Sequence, residues 1–166
     1  MDNLYDNKTF FDKYSQMPRS KEGLSAAGEW HQLKPMFPPL SGKKVLDLGC
    51  GYGWHCKFSR DQGAAYVLGI DLSEKMIKEA EKRNGGEGIV YRVCGIDEYA
   101  YPEDAWDCVI SNLALHYIED LEQVFRQVFR TLKRDGIFLF NIEHPVFTSG
   151  VGQDWIYGED GEPKYW

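Results

Sequence analysis

Nine consecutive residues constrain this chain most: Val45-Leu46-Asp47-Leu48-Gly49-Cys50-Gly51-Tyr52-Gly53. A short apolar run ends in three glycines spaced one residue apart. The pattern is a buried strand entering a tight turn and then a helix. Glycine accepts positive φ and carries no Cβ, so such a turn lets a ligand lie against the backbone. In parallel sheets ligands bind at the carboxyl ends of the strands, where this turn falls.

Four more apolar runs come later in the chain, at residues 66–70, 89–93, 108–111 and 137–142. Continuous rather than alternating runs predict strands covered on both faces. Helical stretches separate them. In residues 119–133, Leu121, Val124, Phe125, Val128, Phe129 and Leu132 recur at three and four, which is one helix face. Gly136 then caps that helix or starts the next strand. Ser73 is placed to cap a helix carrying Met76, Ile77 and Ala80. Strand and helix alternate, which predicts an α/β fold: a doubly wound, mostly parallel sheet with right-handed crossovers and helices on both faces.

Three regions are expected. Residues 1–42 form a helical cap, with a helix in 21–37 stopped by Pro35, Pro38 and Pro39. Residues 43–143 form the core. Residues 144–166, rich in glycine and aromatics and without periodicity, read as a loop.

At 166 residues the chain is one domain's worth and long enough to bury a core. Its net charge of −7 and lack of a Lys/Arg cluster make a nucleic-acid backbone a poor partner and point to a small molecule. No stretch reaches the roughly 18 apolar residues of a membrane span. Residues 1–14 lack the basic start and apolar run of a signal peptide. The four cysteines, Cys50, Cys56, Cys94 and Cys108, form no CxxC pair. They read as reduced, buried thiols, so a cytoplasmic protein without a metal site is expected.

The glycine spacing selects the ligand. A dinucleotide site uses G-x-G-x-x-G, whereas here glycines stand at 49, 51 and 53 and position 54 is Trp. The run V-L-D-L-G-C-G-x-G instead resembles the first motif of class I S-adenosylmethionine-dependent methyltransferases, which have a Rossmann-like fold. The resemblance covers roughly residues 40–145. It implies S-adenosylmethionine as cofactor, S-adenosylhomocysteine as product and methyl transfer to a small-molecule acceptor. Asp47, Gly49, Cys50 and Gly51 then belong to the cofactor site. Asp71, 20 residues after Gly51 in Gly69-Ile70-Asp71-Leu72-Ser73, matches the family's ribose-binding carboxylate, with Leu72 beside the adenine. A plain helix cap is the other reading of Asp71.

The family's acidic residue after the third strand falls on Gly95, a departure from the pattern. Ile96 is left to cover the adenine, and Asp97 either supplies the acceptor from a shifted place or is a surface carboxylate. Asn112 and Leu113 match the backbone that lines the methionine portion. His116 and His144, at the carboxyl ends of the fourth and fifth runs, are the candidate bases, with packing or turn roles as alternatives. Phe10, Phe11, Tyr14 and Met17 are candidate lid residues or ordinary packing.

The family's sheet has seven strands, and five runs are found here. The last two are expected beyond Trp166, so the chain reads as truncated, and residues 137–142 become an apolar edge open to a second copy. Two other functions share the features. An NAD-dependent oxidoreductase shares Asp71 but not the glycine spacing. A non-catalytic cofactor-binding module needs no acceptor at all.

Overall fold

Gly42 and Lys43 turn the chain into the first of five strands: β1 (Lys44–Leu48), β2 (Tyr66–Asp71), β3 (Ile89–Val93), β4 (Trp106–Asn112) and β5 (Leu132–Asn141). The structure, a computed structural model, describes residues 6–144, 156–157, 159 and 163–165. The five strands form one parallel sheet in the order β3-β2-β1-β4-β5. Asp47 of β1 stands between Gly69 of β2 and Ile110 of β4. The strand order reverses between β1 and β4, which opens a crevice at their carboxyl ends.

Side chains of β1 alternate between two apolar layers. Val45 joins Cys56, Val67, Ile77, Cys108 and Ile110 on one face, where α4 (Trp54–Asp61) and α5 (Glu74–Asn84) pack. Leu46 and Leu48 join Leu68, Ile70 and Val109 on the other, covered by Val124 and Val128 of α6 (Leu121–Thr131). Thus the doubly wound α/β fold expected from the sequence is present. The expected cap at Ser73 is present, its side chain accepting from Met76 N, and the structure adds a second at Asp120, which accepts from Gln123 N.

The departures have physical reasons. β3 and β5 are the sheet's edges, so their apolar side chains are not covered on both faces; Val90, Val93, Ile137 and Phe140 are exposed. Leu132 extends the period of α6 but has extended backbone and pairs with Trp106, and Lys133 Nζ meets Asp107 Oδ2 at 2.8 Å, so the sheet claims both residues. No helix joins β3 to β4. Aromatic packing fills that layer instead: Tyr99 against Tyr101 at 4.8 Å and Tyr66 against Trp106 at 5.9 Å between ring centroids.

The single helix expected over 21–37 is broken into the end of α2 (Pro18–Glu22), a 3-10 turn (Gly23–Ala26), α3 (Trp30–Leu33) and a 3-10 turn (Lys34–Met36). Gly23 stops α2 at φ 71, where its missing Cβ leaves room for the Trp54 ring. α1 (Lys8–Gln16) precedes them. The loop expected for 144–166 is also corrected: β6 (Ile156–Tyr157) and β7 (Pro163–Tyr165) pair antiparallel as a separate ribbon. Residues 145–155, with Phe147 and Trp155 of the expected acceptor loop, lie outside the described residues.

Candidate active site

The three glycines after β1 do three different jobs. All have positive φ: 73° at Gly49, 53° at Gly51 and 75° at Gly53. A Cβ at Gly49 would overlap the side chain of Ala114, so this glycine lets the segment after β4 pack onto the loop. A Cβ at Gly53 would overlap the Tyr91 ring. Only at Gly51 is there space; its nearest neighbour is the Tyr14 hydroxyl, 4.0 Å from the Cβ position. The loop is pinned to β2 through Gly49 N and Cys50 N, both bonded to Ile70 O at 2.9 Å. Cys50 turns its thiol inward and contributes only backbone to the crevice; burial pushes the thiol up to about 11.

Asp71 closes the turn from β2. Its Oδ2 accepts from Gly51 N and its Oδ1 from Ser73 N, each at 2.9 Å. Each oxygen retains a second lone pair. Burial raises its affinity for a proton, and the Ser73 and Gly51 N–H groups partly offset this. Beside it Leu72 presents an apolar side chain that is 55 % exposed. Across the crevice Ile96 is buried, its carbonyl taken by the Tyr101 hydroxyl at 2.8 Å. Asp97 is exposed, yet its Oδ1 lies 2.9 Å from where a Cβ at Gly95 would be. A carboxylate therefore fills the space that a side chain at 95 would enter.

Asp47 does not face the crevice. It is 1 % exposed and lies beneath the glycine loop, accepting from Cys56 Sγ at 3.2 Å. Burial pushes its carboxyl up to about 7, with the Cys56 thiol opposing and Asp71 adding to the shift. It supports the loop from below. Of the carboxylates expected in the cofactor site, it alone is kept out of the crevice.

At the end of β4, Asn112 is followed by Leu113 in the left-handed region, φ 54°. His116 lies in a 3-10 turn (Leu115–Tyr117); its Nδ1 is buried without a hydrogen-bond partner among the described residues, and its ring lies 4.3 Å from that of Tyr117. His144 is exposed just past β5. Both candidate bases thus lie past the carboxyl ends of their strands.

Residues 6–36 cap this region. Phe11 and Tyr14 pack edge-on against Tyr52 of the glycine loop, at 6.1 and 5.7 Å. Asp6 accepts from the Ser73 hydroxyl at 2.6 Å, and Arg83 donates to Ser20 O at 2.8 Å. Met17 is exposed, and the Phe10 side chain lies outside the described residues. Two cap residues escaped the sequence reading. Glu29 accepts from Asn112 Nδ2 at 3.0 Å and from Arg19 Nη2 at 2.8 Å. No local pattern marks them, because their partners lie 10 and 83 positions away. His55, without a role from sequence, stacks on Phe37, and burial lowers it to about 4. Among the described residues no group of three or more His, Cys, Asp or Glu is placed to hold a metal, the four cysteines are free thiols, and no helix is long and apolar enough to cross a membrane.

Residues 46–140 match the family model of the methyltransferase domain. A solved structure from Listeria monocytogenes, assigned to the S-adenosylmethionine-dependent methyltransferases, superposes with a TM-score of 0.79 at 47% identity over 85% of this chain. An uncharacterized protein of Haemophilus influenzae is 36% identical over 152 residues, 87% of this chain. Phosphoethanolamine N-methyltransferase 1 of Haemonchus contortus, solved with phosphoethanolamine and S-adenosylhomocysteine, has a TM-score of 0.69 at 27% identity over 84% of this chain. The chain spans 66%, 59% and 32% of these three proteins respectively. Its glycine loop, strand order and matched residues make it a member of the class I S-adenosylmethionine-dependent methyltransferase family.

Proposed function

We propose that this chain binds S-adenosylmethionine across the carboxyl ends of β1, β2 and β4 and directs its methyl group to a small-molecule acceptor. The family sets the oxidoreductase alternative aside. One observation carries the reading: Asp71 holds the open Gly51 turn while keeping a lone pair on each oxygen, which suits a vicinal ribose diol. In this reading Gly49, Cys50 and Gly51 offer backbone to the cofactor. Leu72 and Ile96 flank the adenine, and Asp97 accepts from its amino group in place of a residue at 95. The backbone at Asn112 and Leu113 lines the methionine end, and Asp47 acts from below the loop.

S-adenosylmethionine brings a methyl group already activated on a sulfonium. The protein's task is then orientation, worth roughly 7–11 kcal/mol of the barrier. A base is needed only for an acceptor that must lose a proton. For such an acceptor His116 is favoured over His144 by its unpartnered Nδ1. The excess of acidic over basic residues supports a small-molecule rather than a nucleic-acid partner, and the buried thiols support a cytoplasmic setting. Residues 1–42 act as the cap, 43–143 as the cofactor-binding core and 144–166 as the start of the acceptor side. Among the described residues no strand pairs beyond β5, and this edge together with the exposed Phe129 supports self-association of the chain.

Thermal unfolding with S-adenosylhomocysteine, with NAD as control, tests the cofactor reading. At about 100 times its dissociation constant the ligand adds roughly 2.7 kcal/mol, a shift of roughly 5–10 °C. Asp71→Asn should remove most of the shift. A folded chain that responds to NAD alone, or to neither, would sink the proposal.

A further inference from the structure

We propose that Glu29 is a positioning residue of the methyl-transfer site: from the cap it clamps Asn112 and so holds the strained turn after β4 against the glycine loop. That this turn belongs to a cofactor site rests on the function proposed above.

The clamp is a chain of four side chains. Glu29 Oε2 accepts from Arg19 Nη2 at 2.8 Å, and Glu29 Oε1 from Asn112 Nδ2 at 3.0 Å. Asn112 Oδ1 in turn accepts from Asn141 Nδ2 at 3.0 Å. A carboxylate only accepts, so the Asn112 amide must present its nitrogen to Glu29 and its oxygen to Asn141. Both ends of Asn112 are therefore tied, one to the cap and one to β5.

The backbone just after Asn112 needs holding. Leu113 sits at φ 54°, a region that a side-chain-bearing residue adopts only when its surroundings enforce it. Its N–H donates to Asn141 O at 2.8 Å, so Asn141 grips both Asn112 and Leu113. The next residue, Ala114, packs into the space left by the absent Cβ of Gly49. Movement of Asn112 is thereby passed through Leu113 and Ala114 to the glycine loop. Burial opposes ionisation of Glu29, but the Asn112 bond, its own backbone N–H and Arg19 outweigh it and hold the carboxyl below its ordinary range. With both oxygens engaged, Glu29 holds a neighbour in place and is not a base.

The decisive experiment exchanges the two partners. Asn112→Asp sets two carboxylates face to face. Glu29→Gln with Asn112→Asp restores a donor opposite an acceptor, with the roles reversed. S-adenosylhomocysteine affinity is read by calorimetry and opening of the Leu113 amide by hydrogen exchange without ligand, with Glu22→Ala, an exposed cap glutamate, as control. Asn112→Asp should weaken binding and speed Leu113 exchange about tenfold each. The double variant should recover both to within about threefold of wild type, and Glu22→Ala should change neither. A double variant no better than Asn112→Asp would overturn the clamp. Recovery of exchange without any effect on binding would overturn its role in the site. Wild-type protein that fails to bind S-adenosylhomocysteine would instead defeat the cofactor reading, while the exchange rates still decide whether Glu29 holds the turn.

Discussion

The two walls of the crevice are made of different material. On the β1–β2 side the contacts come from backbone within residues 49–73: Gly51 N and Ser73 N donate to Asp71, and the Ile70 carbonyl accepts from Gly49 N and Cys50 N. On the β4–β5 side they come from side chains on segments far apart, with Glu29, Asn112 and Asn141 meeting at the strand ends. A wall of backbone depends on which residues are absent, namely the Cβ atoms of the loop. A wall of side chains depends on which are present, and on the cap being docked.

The sharpest way to break this comparison is to add a methyl group at two points of the same loop. Gly49→Ala meets both an unfavourable φ and the Ala114 side chain, and should lower unfolding stability by about 2–4 kcal/mol in urea titration. Gly51→Ala meets the φ penalty alone, about 1–2 kcal/mol, yet should weaken S-adenosylhomocysteine binding at least tenfold. Equal stability losses, or unchanged binding in Gly51→Ala, would show that the two glycines are not differently employed.

A smaller effect separates support of the loop from contact with the ligand. Asp47 is held protonated by burial up to about pH 7, against an ordinary 3.8. Its folded state binds the proton more tightly than the unfolded chain does. The stabilisation from that proton is complete below about pH 4 and is lost as pH rises to about 7. Asp47→Asn does not titrate, so it should gain on wild type by about 1–3 kcal/mol between pH 4 and pH 8, levelling off above pH 7. A stability difference independent of pH would mean that Asp47 is not a buried, protonated acid.

The smallest effect concerns the outer side of the side-chain wall. Phe129 is 81 % exposed on α6, the helix that contacts the edge strand β5. Phe129→Glu should change unfolding stability by less than about 0.5 kcal/mol, while light scattering shows weaker self-association than wild type. A wild type that is monomeric at high concentration would remove the dimer from consideration.

The sequence was most legible where the wall is backbone. Val45 to Leu48, interrupted only by Asp47, and Tyr66 to Ile70 read as apolar runs because β1 and β2 are interior strands, and glycine is the direct signature of positive φ. It was less legible at the edges, where Val90 and Ile137 read as buried but are not. Between β3 and β4 the expected helix gives way to Tyr99 and Tyr101, because large rings cover a sheet without periodicity. Pro18 and Gly23 cut the cap into pieces too short for a period of 3.6 to show. Glu29 and Arg19 left no trace, since a hydrogen bond spanning 83 positions has no local pattern.

That same span orders events during synthesis. The cap is the earliest described part of the chain to be made, yet every surface it rests on comes later: the glycine loop, then Ser73 and Arg83, then Asn112. Its short helices have little stability of their own. The cap therefore completes its docking only after β4 has been translated and paired, because its bond to Asn112 must wait for that strand.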